Sequence, residues 1–470
     1  MTASSTLAHT DILFLNWRDP AHPQAGGAET YCFEIARRLA RTGARVTLFA
    51  SRSPGAAAVE YTDGVRILRQ GGTFGVYAAA VRHLLRNRHA YDAVVDFQNG
   101  IPFFSAAFVP RWTADVCVIH HVHQDQFDLF FRWPANAVGR LLEKQVSRIV
   151  YRNRPIVVVS PSTREGVRRE LGFHNPVFLV PNGSPHSEPA RVARSESPRI
   201  AVVSRLVPQK RLDLLVRALP ALLGRHPDLR VDIAGQGGEL GRLRALAEGL
   251  GVGGAVTFHG WVGEERKREL LARAWLTVVP SVAEGWGLAV IEANSLGTPA
   301  VAFDVPGLRD AVRPGRTGWL LPAGADLADL TAAALDSLAD PAARERMAGR
   351  CRGWADGFGW GDSADRLARV VQEEIRRVRR HRRSRRQAHD LAVVTHFETA
   401  DGDALEATLD GALRGTDGWS RRGDAFRLVL HGCDEVLAHG VLARLGVGQQ
   451  AAVALASRSD LLVRPESSAT

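Results

Sequence analysis

Short apolar runs alternate with amphipathic stretches over most of the chain. Runs at 12–15, 46–50, 65–68, 93–97, 116–120 and 156–160 read as strands, and 29–41 reads as a helix. Ser162 or Thr163 is placed to cap a helix running towards Leu171, and 177–180 reads as a further strand ending at a Pro181-Asn182-Gly183 turn. The runs are short and apolar, as expected of strands buried on both faces of a parallel sheet. After a polar, proline-bearing stretch the alternation restarts. Strands are predicted at 200–203, 229–234, 256–258 and 276–280, and helices near 212–223 and 240–250. A further helix is read at about 288–296, a turn and strand at 297–302, and helical runs from 327 to 378. Beyond His389 the composition changes. A strand at 391–397, a helix at 404–414 and a strand at 425–430 suggest a separate small α/β module.

The predicted organisation is an N-terminal doubly wound domain (1–185), a linker (186–198), a second doubly wound domain (199–375), an arginine-rich linker (376–389) and the module at 390–470. The fold class is α/β: two Rossmann-like domains with a cleft between them and a small appendage.

Chemistry is densest at Pro280–Ala293. Glu284 and Glu292 stand eight positions apart around Gly285-Trp286-Gly287-Leu288, between a strand and a helix. Ligands of open α/β sheets bind beyond the carboxyl ends of the strands, and two carboxylates there can accept hydrogen bonds from several hydroxyls. A sugar and a ribose satisfy that description. Arg205 and Lys210 follow the first strand of the second domain and suit a diphosphate, the one with a bidentate fork and the other with a compact charge. The chain writes nearly all its 60 basic residues as arginine; Lys144, Lys210 and Lys267 are its only lysines. In the first domain, Gly26 and Gly27 follow the first strand and open a helix. His120, His121 and His123 follow a later strand, and Asp96 and Asn99 end another on the same rim. Gly235 follows the second strand of the second domain, and Trp261 the third. Trp261 reads equally well as a base-stacking or a rim aromatic.

The E-x7-E pattern in this glycine-punctuated setting resembles the donor site of retaining glycosyltransferases of family 4, which have the GT-B fold. The resemblance covers about residues 10–375. It implies that Arg205 and Lys210 neutralise a donor diphosphate, that Glu292 holds the ribose and that Glu284 holds sugar hydroxyls. It assigns Gly285, Trp286, Gly287 and Leu288 to the donor pocket, with Gly235 and Trp261 bordering the base. It places Gly26 and Gly27 near phosphate and acceptor, and His123 against the donor sugar or acceptor, with Asp96 and Asn99 as acceptor contacts. It further implies retention of anomeric configuration, no cofactor and no metal. In the family the last helix crosses back onto the first domain.

Arg414–Leu430 resembles the core of a GGDEF (diguanylate cyclase) domain, with Gly423-Asp424-Ala425-Phe426 lacking one glycine and the acidic residue. Cyclase chemistry is not expected from it. Asp401-Gly402-Asp403 has D-x-D spacing but lies outside the two doubly wound domains.

Other classes are excluded or disfavoured. The four scattered cysteines fit a reducing cytosol and carry no zinc signature. No secretory leader and no bilayer-length apolar run is seen, and the dinucleotide fingerprint is missing. A pyridoxal-dependent phosphorylase would need a cofactor lysine, and none follows Lys267. The eight arginines within Arg376–Arg386 carry charge equal to eight of the net +10. They read as a solvated helix end or as an anionic-membrane contact at the inner face of the cell membrane, not as a nucleic-acid site. The expected partners are a nucleotide diphospho-sugar and a hydroxyl acceptor, a lipid-linked saccharide among the candidates. The alternative is an inactive GT-B protein that binds nucleotide and signals through its tail.

Overall fold

The computed structural model describes residues 7–184, 192–380, 391–399, 401–413, 417–447 and 451–457. The chain divides into two compact units. Unit 1 takes both ends of the chain, up to Val180 and from Gly361, and unit 2 is Pro181–Trp360.

Unit 1 is built on an eight-stranded sheet: β1 (Asp11–Leu15), β2 (Arg45–Ala50), β3 (Val59–Thr62), β4 (Val65–Arg69), β5 (Ala93–Gln98), β6 (Ala114–Ile119), β7 (Ile156–Val158) and β8 (Val177–Leu179). Its order is β3-β4-β2-β1-β5-β6-β7-β8, and only β3 runs antiparallel to its neighbour. Every residue of β5 and β6 is buried, Asp96 and Asp115 included, as expected of strands covered on both faces. The strand order reverses between β1 and β5, so the loops leaving their carboxyl ends flank a crevice. There Asn99 Nδ2 donates to Asn16 Oδ1 at 2.7 Å.

The long helix Trp360–Arg380 belongs to unit 1. Its apolar positions Leu367, Val371, Ile375 and Val378 are buried. Glu374, fully buried, pairs with Arg154 at 3.0 Å and Arg377 at 2.6 Å. By contact, the chain passes from unit 2 back to unit 1 between Trp360 and Gly361. Within the arginine run, Arg376, Arg377 and Arg379 are paired with Glu373, Glu374 and Asp92. The side chain of Arg380 and all of Arg382, Arg383, Arg385 and Arg386 lie outside the described residues. So do residue 185, 186–191 of the expected linker and Arg414-Gly415-Thr416 of the tail.

The tail forms β15 (Leu391–Glu398), a helix (Gly402–Ala412), β16 (Gly418–Arg422), β17 (Ala425–His431), a helix (Glu435–Arg444) and β18 (Ala452–Ser457). All pairings are antiparallel, in the order β16-β17-β15-β18. This is the split βαβ arrangement of ferredoxin-like folds. The module is docked on unit 1: Asp434 pairs with Arg164 at 3.0 Å and Glu435 with Arg366 at 2.5 Å, both carboxylates nearly fully buried.

Unit 2 holds β9 (Arg199–Val203), β10 (Arg230–Ala234), β11 (Val256–Gly260), β12 (Thr277–Val279), β13 (Ala300–Phe303) and β14 (Gly318–Leu321). Two three-stranded ladders are joined by a parallel bridge between Ile200 and Leu276. The order is therefore β11-β10-β9-β12-β13-β14, all parallel. Counted along the chain this is 3-2-1-4-5-6, and the reversal lies between β9 and β12. Leu215, Val216, Leu219 and Leu222 of the helix Leu212–Arg225 pack on one face with Leu243, Leu335 and Met347.

Candidate active site

The two loops at the unit 2 reversal carry the residues singled out from sequence. Ser204–Lys210 leaves β9 and Pro280–Gly287 leaves β12, and Val282 N donates to Gln209 O between them at 3.1 Å. Glycines let neighbouring loops close on this pair. At Gly235 (φ +144°) and Gly237 (φ +158°) a Cβ would collide with the carbonyl oxygens of Ser204 and Leu206. At Gly307 (φ +81°) it would collide with that of Glu284. Only glycine supplies both the conformation and the space. Leu206 N donates to Gln236 O at 2.8 Å, and Glu284 N to Pro306 O at 3.2 Å, so loops after four strands are tied together through backbone.

In that frame Lys210 Nζ is ion-paired with Glu284 Oε1, and Ser281 Oγ donates to the same oxygen at 2.8 Å. Both partners are largely enclosed. Arg205 stands exposed on the loop, with no ion pair among the described residues. Gly287 (φ +86°) caps the helix Leu288–Ser295, and a helix N-terminus favours negative charge. Glu292 lies one turn on. Its Oε1 is 3.1 Å from Lys267 Nζ, which also reaches Glu264 Oε2 at 2.8 Å. Burial pushes the Glu292 carboxyl above its ordinary range and Lys267 opposes that push. Burial would lower Lys267, but Glu292 and Glu264 outweigh it and hold the ammonium above its usual value. Arg205, Lys210, Glu284 and Glu292 thus share one strand-end region of unit 2.

The two tryptophans assigned to the donor side sit differently. The ring of Trp286 is buried and packs edge-on against Phe358, centroids 4.9 Å apart. Its indole anchors the loop from beneath, leaving backbone as the only part of residues 285–287 suited to a ligand. Trp261 is 72% exposed on the loop after β11, tied in where Gly235 N donates to Gly260 O at 2.7 Å.

In unit 1, Gly26 is the N-cap of the helix Gly27–Arg41, and its amide donates to Glu29 Oε2 at 2.8 Å. His123 follows β6. Its backbone amide donates to the buried Glu143 at 2.8 Å and its Nδ1 lies 2.9 Å from His121 O. A carbonyl can only accept, so Nδ1 carries a proton. His120 differs: it is buried edge-on against Tyr31 and pushed down to about 3 by desolvation. Asn99 is partly exposed. Asp96 is not available as an acceptor contact. It is fully buried, with Tyr151 OH, Phe103 N and Ser105 N donating to its oxygens. Its carboxylate fixes the turn after β5 from inside.

Sequence reading passed over Lys267, Ser281 and Glu143. Lys267 had a signal, as one of three lysines in an arginine-rich chain. Glu143 had none, because its partners are reached only through the fold. Among the described residues no three His, Cys, Asp or Glu side chains gather as metal ligands, and no helix is long and apolar enough to cross a membrane.

Comparison with known proteins agrees with this layout. Residues 25–188 match the family described as Glycosyltransferase Family 4, and 186–354 match Glycosyl transferases group 1. The D-inositol 3-phosphate glycosyltransferase of Streptomyces scabiei is 30% identical over 410 residues, 77% of this chain and 90% of that one. Sucrose-phosphate synthase from Thermosynechococcus elongatus superposes with a TM-score of 0.65 at 21% identity, over 77% of this chain and 98% of its own. Anabaena HepE, solved in complex with UDP and glucose, gives 0.60 at 18%, over 77% and 100%. These two likenesses show the GT-B fold. The relative aligned over nearly its whole length, with the two domain matches, places the chain in a family: it belongs to the family 4 glycosyltransferases.

Proposed function

We propose that the chain is a metal-independent, retaining glycosyltransferase that moves a hexose from a nucleotide diphospho-sugar to a hydroxyl acceptor, in cell-envelope or glycoconjugate synthesis at the cytoplasmic face. The observation that carries this reading is the Lys210–Glu284 pair at the β9/β12 reversal, with Glu292 one turn into the outgoing helix. Arg205 and Lys210 bind the diphosphate. Glu292 accepts from the ribose hydroxyls and Glu284 from the sugar. The bond between the anomeric carbon and the diphosphate breaks, and its electron pair goes to the departing oxygen. Charge grows there, so cations at that point favour the transition state over the ground state. The acceptor oxygen bonds to the anomeric carbon from the face the diphosphate leaves, and its proton passes to the leaving phosphate. Gly26, Gly27, Asn99 and His123 of unit 1 are assigned to the acceptor.

UDP, the nucleotide solved with HepE, is the first donor base to try. A thermal-shift comparison of UDP, GDP and ADP identifies the base, because a ligand that binds only the folded state raises its apparent stability. Sugar transfer is then followed in Lys210→Ala and Glu292→Ala, and product stereochemistry by the anomeric proton coupling. Near-normal transfer by either variant removes this assignment.

For the tail we infer a docking module without cyclase chemistry. Gly423 and Asp424 form the β16–β17 turn. Arg421 pairs with Asp403 at 2.6 Å and Glu406 at 2.7 Å, engaging the nearby carboxylates.

A further inference from the structure

Residues 126–152 carry the polarity of a surface helix the wrong way round. The segment contains the helices Gln126–Phe130 and Ala135–Leu141, a π-turn at Leu142–Val146 and a last turn at Ser147–Val150. Its buried stripe is Gly139, Glu143, Ser147 and Tyr151, spaced by four. Gly139 seats the ring of Phe127, where a Cβ would come within 2.6 Å of Cδ1. Glu143 is wholly buried and accepts from His123 N at 2.8 Å and Gln124 Nε2 at 2.6 Å. Four large apolar side chains face out instead: Val138 is 50% exposed, Leu141 51%, Ile149 67% and Trp133 81%. An ordinary surface helix buries its apolar stripe and turns charge to water. An apolar surface of this kind marks an interaction site.

Charge says what covers it. Arg132, Arg148 and Arg152 are exposed beside these residues and make no ion pair among the described residues. The two carboxylates of the segment are unavailable: Asp128 is paired with Arg140 at 2.8 Å, and Glu143 is buried. A second copy of the chain would bring the same cations against these ones. Anionic headgroups over an acyl layer satisfy both features, and an exposed tryptophan suits that boundary.

We propose that residues 126–152 form a membrane-docking surface that inserts Trp133, Val138, Leu141 and Ile149 into an anionic lipid surface. The surface is separate from the arginine run at 376–386 and does not depend on the transferase reading. It begins at the candidate acceptor loop: ring centroids run from His123 to Phe127 (6.5 Å) and on to the half-exposed Phe131 (6.4 Å). An acceptor carried in the lipid would therefore arrive beside His123.

The test is sedimentation of the full chain with phosphatidylcholine vesicles and with mixed phosphatidylglycerol–phosphatidylcholine vesicles. The intact chain is expected to pellet with the anionic vesicles only, and less at high salt. Leu141→Asp with Ile149→Asp replaces exposed side chains, so fold is retained, and the partition coefficient should fall at least about tenfold. A variant with serine at 382, 383, 385 and 386 should lose less. Brominated lipid should quench the intact chain's fluorescence more than that of Trp133→Phe. The proposal fails if the double variant pellets as the intact chain does, or if the intact chain ignores anionic vesicles. It fails equally if light scattering shows a dimer that the double variant abolishes.

Discussion

Lys267 Nζ sits between Glu292 Oε1 and Glu264 Oε2, at 3.1 and 2.8 Å, and so ties the helix Glu264–Arg273 to the carboxylate assigned to the donor ribose. Burial alone favours the protonated form of Glu292, and a neutral carboxyl is a poorer acceptor for two hydroxyls. Lys267→Met should weaken nucleotide binding about ten- to a hundredfold, the range for losing a hydrogen bond to a charged group. Lys267→Arg should keep most of the affinity. Titration calorimetry with the cognate nucleotide reads both, and equal affinity in all three proteins would show that Lys267 does not set the state of Glu292.

Lys210 is ion-paired with Glu284. A diphosphate therefore competes with an internal carboxylate for the same ammonium. Glu284→Gln is expected to tighten binding of the bare nucleoside diphosphate while lowering sugar transfer. Lys210→Ala is expected to lower kcat about 10²–10³-fold, as for removal of one group that stabilises leaving-group charge. Opposite signs for binding and turnover in Glu284→Gln distinguish this exchange from simple damage to the loop.

Glycines around the donor loops give a graded test. Gly307→Ala forces a Cβ against the backbone of Glu284, whereas Gly324→Ala, at a similar φ of +84°, meets open space. The second should cost about 1 kcal/mol of backbone strain and leave transfer near normal. The first should cost more and abolish transfer, because Glu284 moves. Thermal midpoints and specific activity of the two variants decide it.

Unit 1 contains two buried groups whose titration pulls in opposite directions. Desolvation pushes Asp115 up to about 7 and His120 down to about 3. Between about pH 4, the ordinary carboxyl value, and pH 7 the folded state holds a proton on Asp115 that the unfolded state has lost. Its contribution therefore falls as pH rises. Between pH 3 and about 6.5 the unfolded state protonates His120 while the folded state does not, so that contribution falls as pH falls. Where the windows overlap the slopes cancel. Asp115→Asn should leave the thermal midpoint rising with pH from about 4 to 6.5, and His120→Phe should reverse the trend. Scanning calorimetry across that range checks the sign of each.

The sequence was most readable where burial is two-sided. β1, β2, β5, β6, β9 and β10 are predominantly apolar, and the glycine-punctuated stretch at 284–288 announced a strand-end loop. Reading failed where polarity is inverted or partners are distant. The helices between Gln126 and Val150 bury Gly139, Glu143 and Ser147 and expose Val138, Leu141 and Ile149, so hydrophobic periodicity pointed away from them. β14 is four residues long, and β16 is half-exposed with three polar residues in five, too little apolar signal for a strand. Asp96 looked like a rim acid because it ends a strand. Its burial follows from Tyr151, far along the chain, which spacing cannot reveal. Trp286 looked like a ligand contact because it sits in the motif, and Phe358, the partner that covers it, is equally remote in sequence.

Unit 2 begins and ends at one place: Ser184 N donates to Phe358 O at 2.7 Å, and Ser184 bridges to Gly359. A stretch of chain with adjoining ends is a cassette. It can be lifted out, closed by a short loop or replaced by the equivalent stretch from another chain without altering the register of anything before or after it. Exchange of nucleotide preference by whole-cassette grafting, with no point substitution, is what this architecture permits.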